Sequence, residues 1–93
     1  MTRRIYKYPL RVAHRVDVPM PAGAQLFPHV HPTDDPTLVW VWAEVDPDAP
    51  LVTQRFAVYG TGHNLPDDPG RHVGTCVSPG GLVWHVYCLG VDE

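Results

Sequence analysis

Eleven prolines and eight glycines are spread along 93 residues, and they leave no room for a helix of ordinary length. Proline lacks an N–H and clashes with the preceding turn, which costs about 3 kcal/mol inside a helix. At strand edges and in turns it is tolerated. Here proline and glycine fall between short apolar runs rather than in one low-complexity tract. No window keeps a 3.6-residue apolar period with caps at its ends. The expectation is an all-β chain of six or seven short antiparallel strands in a sandwich or small barrel. Residues 1–93 are too few for a second core, so one domain is expected.

The apolar runs place the strands. Ile5-Tyr6-Lys7-Tyr8-Pro9-Leu10 reads as a short extended segment, with Pro9 at an edge or bend. Leu10, Val12, His14, Val16 and Val18 then alternate with Arg11, Ala13, Arg15 and Asp17, the pattern of one half-buried strand. Pro19 to Gly23 reads as a turn, Ala24 to Val30 as a strand interrupted by Pro28, and His31 to Pro36 as a polar loop. From Leu38 to Val45, Leu38, Trp40 and Trp42 share one face and Val39, Val41, Ala43 and Val45 the other. Apolar residues on both faces predict a central strand covered on two sides. Val52 to Tyr59 is a further strand. His72 to Ser78 pairs with Leu82 to Leu89 across Ser78-Pro79-Gly80-Gly81, where Pro then Gly suits a type II turn.

Charge and cysteine usage narrow the class. A net charge of −3 and a pI near 6 argue against a nucleic-acid partner. Five of the seven basic residues are Arg3, Arg4, Lys7, Arg11 and Arg15. They read as a solvated strand face, with a weak anion site as the alternative. The hairpin register sets Cys76 opposite Val83 or Trp84, which leaves its thiol ~13 Å or more from that of Cys88 at ~3.3 Å per strand residue. Both cysteines are therefore expected as free, buried thiols in a reducing compartment. Met1-Thr2-Arg3-Arg4 is followed by no apolar signal core, and no apolar run approaches ~18 residues. A cytoplasmic protein without a membrane partner is expected.

The motifs that carry chemistry elsewhere are weak here. Gly60-Thr61-Gly62-His63 follows a strand, but a dinucleotide loop needs a third glycine and a helix, and a P-loop needs Gly-Lys-Ser/Thr. The plainer reading is a turn in which both glycines supply positive φ. His29 and His31 could share a strand face, and His63 could join Asp67 or Asp68. No zinc or calcium signature accompanies either group, so no metal and no cofactor are expected. His14 and His85, between apolar neighbours, read as hydrogen-bonded core or boundary histidines. Ser78, the only serine, sits in a turn, and Cys76 has no neighbouring charge to activate it. Trp40, Trp42 and Trp84 read as core, with Trp42 the best placed for partial exposure. No catalytic residues are assigned.

Several stretches together resemble a known family. They are Ile5-Tyr6-Lys7-Tyr8-Pro9-Leu10, Phe56-Ala57-Val58-Tyr59-Gly60-Thr61-Gly62-His63, Val73-Gly74-Thr75 and Gly81-Leu82-Val83-Trp84-His85-Val86. The Pro21-Ala22-Gly23-Ala24 turn and the Trp42-Ala43-Glu44-Val45-Asp46-Pro47 strand end are also similar. The family comprises short proteins of unknown function, encoded largely by phages and prophages. The resemblance spans nearly the whole chain and departs at His29 to Pro36. It implies a phage accessory protein made in the bacterial cytoplasm, and it implies no activity.

The function expected is a non-enzymatic binding protein that captures a host or host-defence protein through sheet edges or a loop surface. A two-fold homodimer through the same edges is the accompanying expectation. The alternative is a small-ligand or nucleotide-signal binder. Its site would be built from Arg55, Tyr59, Gly60, Thr61, Gly62, His63 and Arg71, and it requires a concave, positive pocket near the turn's amides. A metal-dependent hydrolase is a third reading, and it requires His63 to converge with Asp67 and Asp68.

Overall fold

The computed structural model describes residues 2–92, with the side chain of Asp92 excepted. Seven strands follow in chain order: β1 (Arg4–Arg11), β2 (Val16–Pro21), β3 (Gln25–Pro32), β4 (Leu38–Val45), β5 (Leu51–Gly60), β6 (Arg71–Val77) and β7 (Val83–Asp92). None of the described residues is helical. The strands form a three-stranded sheet, β1-β4-β3, and a four-stranded sheet, β2-β5-β7-β6, with every pairing antiparallel. The shortest dimension is 17 Å. That suits two sheets about 10 Å apart with a layer of side chains outside them.

The apolar alternation decides which faces meet. Val39, Val41, Ala43 and Val45 of β4 are fully buried, as are Phe56 of β5 and Val86 of β7. Leu10, Met20, Val30, Val58 and Cys88 complete the layer between the sheets. Cys76 and Cys88 are free and buried, and Cys76 pairs with Trp84 across the hairpin as the register required. Burial pushes the Cys76 thiol up, which keeps it protonated and poorly nucleophilic. The hairpin turn is also as expected. The Gly81 N–H donates to the Ser78 carbonyl at 3.0 Å, and Gly80 has φ 92°.

Two expectations need correction. The alternation from Leu10 to Val18 is not one strand, because it breaks at residues 12–15, where the chain passes from one sheet to the other. This corner is tied to both sheets: the Val12 N–H donates to the Thr37 carbonyl at 2.8 Å, and the Val58 N–H donates to the Ala13 carbonyl at 2.9 Å. Leu10 and Val18 still point inward, but His14 between them is exposed. The turn expected at Pro19 begins later. Pro19 to Pro21 belong to β2, Met20 is core, and the chain reverses at Gly23 with φ 80°. Pro28 does interrupt pairing, since the β3–β4 register shifts between Leu26 and Val30.

The sheets approach most closely where β3 runs beside β6. A Cβ on Gly74 would stand 2.9 Å from Val30 Cγ2 and 3.1 Å from the Val30 backbone nitrogen. Backbone cannot give way as a side-chain tip can, so Gly74 is there for space. Gly74→Ala is expected to cost about 1–3 kcal/mol, the usual range for overpacking. The check is a urea titration in which the midpoint falls at unchanged slope.

Candidate functional site

The sequence points to the turn after β5, and the structure explains each residue of it. Gly62 has φ 90°, as expected of a turn glycine. Gly60 does not have positive φ, so the reading that both glycines serve that purpose is corrected. Gly60 is needed for space. A Cβ there would meet the His63 ring at 3.0 Å (Cε1) and 3.2 Å (Nε2), and Trp84 Cζ3 at 3.2 Å. His63 folds back over Gly60, and the Gly60 N–H donates to His63 Nδ1 at 3.1 Å. The Thr61 N–H donates to the Val83 carbonyl at 3.3 Å and the His63 N–H to the Gly60 carbonyl at 3.1 Å. Three of the turn's amides are thus committed internally, which leaves little to cradle a phosphate.

Around this turn the outer face of the four-stranded sheet carries a band of rings and hydroxyls. His14 stacks on Tyr59 with centroids 5.3 Å apart and meets His63 edge-on at 6.0 Å. Tyr59 meets Tyr87 at 6.0 Å, and Tyr87 meets His72 at 5.3 Å. His85 is held at both ring nitrogens. Nε2 lies 2.8 Å from Thr61 Oγ1 and Nδ1 lies 2.9 Å from Thr75 Oγ1, which in turn lies 3.0 Å from His72 Nε2. His85 is therefore the hydrogen-bonded boundary histidine foreseen, whereas His14 is an exposed surface ring.

A shallow cleft of about 240 Å³ opens beside the turn, lined by Tyr59, Gly60, Thr61, Gly62, His63, Leu65, His85 and Tyr87. Neither Arg55 nor Arg71 lines it. Arg71 lies on a separate groove with Leu26, Cys88 and Leu89. The positive pocket required for an anionic ligand is therefore not assembled at this turn. Asp67 and Asp68 are exposed, and no three metal-binding side chains converge among the described residues. The His63–Asp67–Asp68 geometry required for a hydrolase is likewise not assembled.

The other sheet holds a surface that the sequence reading misassigned. Because the valine face of β4 is buried, Leu38, Trp40, Trp42 and Glu44 point away from the core, half-buried rather than covered. The register sets Lys7 beside Trp42, Pro9 and His31 beside Trp40, and Arg11 beside Leu38, all on this outer face. Lys7 Nζ lies 4.2 Å over the Trp40 ring, and His29 packs on Trp42 at 5.5 Å. Arg3 Nε meets Glu44 at 3.5 Å, and Arg11 is offset by Asp35 of the adjoining loop, which leaves Lys7 as the basic residue against the tryptophans. The adjoining loop is fixed by Asp35, which accepts from the Thr37 hydroxyl at 2.7 Å and the Thr37 N–H at 2.9 Å. Those bonds, with help from Arg11, hold the Asp35 carboxyl below its ordinary value, so it stays charged at neutral pH. The sequence signal was present in the alternation of Trp40-Val41-Trp42 opposite His29-Val30-His31. A parity pattern does not say which face is covered, so apolar residues at both parities fit two-sided burial equally well.

The turn's internal fit can be tested by a double-mutant cycle. Gly60→Ala and His63→Ala are each expected to cost about 1–3 kcal/mol, by crowding and by taking the acceptor from the N–H of buried Gly60 respectively. In the double variant the nearer of the two clash partners is gone and only Trp84 remains, so the combined cost should fall short of the sum by more than about 0.5 kcal/mol. Denaturant unfolding of the four proteins measures it.

No helix among the described residues is long and apolar enough to cross a membrane. Neither the curated proteins nor the solved structures give a match to this chain. A family model does match, over residues 1–93. The chain belongs to the family described as a domain of unknown function, DUF7352.

Proposed function

We propose that this chain is a non-enzymatic binding protein that docks a protein partner against the outer face of β1-β4-β3. The observation that carries the reading is the pair Trp40 and Trp42, partly exposed at the centre of the outer face of β1-β4-β3. Tryptophan is enriched among the central anchors of protein interfaces, because it removes much apolar area from water while fixing few rotors. Lys7 over the Trp40 ring favours a partner with a carboxylate beside an apolar patch. A net charge of −3 over the whole chain works against a polyanion such as nucleic acid.

Docking on the face fits this fold better than pairing at its edges. Three of the four edge strands contain proline: Pro9 in β1, Pro19 and Pro21 in β2, Pro28 and Pro32 in β3. The fourth, β6, runs beside β3. Proline removes a ladder donor and blunts an edge against a further strand. The resemblance to phage-encoded proteins supports the cytoplasm of an infected bacterium as the setting and a host protein as the partner.

The experiment is affinity capture from bacterial lysate with the wild-type chain and with Trp42→Ala. One stoichiometric protein should be captured, and its affinity should fall at least about thirtyfold in the variant, as for an interface residue worth about 2 kcal/mol. Capture of the same protein at unchanged affinity by Trp42→Ala would exclude this face.

A further inference from the structure

We propose that the cleft beside His63, on the sheet opposite the tryptophan face, binds one uncharged planar heteroaromatic ring of the nucleobase class. Its walls are largely aromatic: Tyr59 and Tyr87 stand 73° apart in plane with centroids 6.0 Å apart, and His63, His85 and Leu65 also line it. A volume of about 240 Å³ is below the ~300–1,000 Å³ of sites that enclose drug-sized ligands. It has room for a single ring system and little more.

Charge and hydrogen bonding select within that class. No Arg, Lys, Asp or Glu lines the cleft, so a charged group bound there would lose its water without gaining a counter-charge. His63 Nδ1 is an acceptor, because the backbone N–H of Gly60 points at it. The neutral His63 ring therefore carries its proton on Nε2, where it is a donor. That nitrogen has no hydrogen-bond partner among the described residues. A ring bearing an in-plane acceptor, either a ring nitrogen or a carbonyl oxygen, can stack on the aromatic wall and accept from Nε2. Purines and pyrimidines offer both acceptors, whereas purely hydrocarbon rings offer neither.

The nucleobase, rather than the whole nucleotide, is the recognised part. With the Gly60, Thr61 and His63 amides committed and Arg55 and Arg71 elsewhere, a 5′-phosphate finds no cation in the lining. A nucleoside should therefore bind at least as well as its monophosphate. This inference is independent of the protein-binding reading, because Trp42→Ala leaves the cleft untouched.

The test is an NMR titration of the wild-type chain with adenosine, guanosine, cytidine and uridine, and with the matching 5′-monophosphates. At least one nucleoside should shift the ring resonances of His63, His85 and Tyr59 in a saturable way at millimolar concentration. Its monophosphate should bind no tighter. Tyr87→Ala removes one wall and leaves the His63–Gly60 bond in place, and it should weaken binding about tenfold or more, while His63→Asn should abolish it. Absence of saturable shifts for all four nucleosides would overturn the proposal. So would tighter binding of a monophosphate, or equal affinity in folded Tyr87→Ala.

Discussion

Burial of one face of β4 decides the direction of much else in the chain. A strand has a period of two residues, so placing Val39, Val41, Ala43 and Val45 in the inter-sheet layer forces Trp40 and Trp42 outward. Antiparallel register then carries that choice to the neighbouring strands: Leu10 and Val30 turn in, Lys7, Pro9 and His31 turn out. Burying a valine side chain is worth about 1.5–3 kcal/mol. A one-residue slip would exchange valines for tryptophans in a layer already filled by Phe56, Val58 and Val86. The outer aromatic face is thus a consequence of how the core is packed.

The second sheet is organised by space rather than by parity alone. Gly60 lets His63 lie back over the strand end, and Gly74 lets β6 run against β3. Each glycine acts by close approach, and the same turn uses Gly62 for its conformation. The motif Tyr59-Gly60-Thr61-Gly62-His63 is therefore a self-contained unit. It spends three of its amides on itself and leaves one histidine donor on an exposed ring. Its chemistry suits uncharged aromatic contacts better than phosphate.

Much of the fold was legible in the sequence, and the reasons are local. Scattered prolines excluded helices, Ser78-Pro79-Gly80-Gly81 announced its turn, and the hairpin register placed Cys76 opposite Trp84. What misled was alternation without context. Leu10 to Val18 keeps its inward parity through a corner in which the strand itself is broken, and Leu38 to Val45 looks covered on both sides although only one side is. The candidate turn was legible as a location, but its use was not. Whether Gly60 serves φ or space depends on where Trp84 and the His63 ring lie, and whether Arg55 and Arg71 help depends on pairing across strands far apart in sequence.

The central claim is that the outward tryptophans form the docking surface. Oxidative footprinting of the protein, free and in complex with its captured partner, tests it most directly. Trp40 and Trp42 should be oxidised readily in the free chain and protected in the complex, with Tyr59 and Tyr87 unchanged. Tryptophans that react equally in both states, while the tyrosines become protected, would contradict it and move the interface to the other sheet.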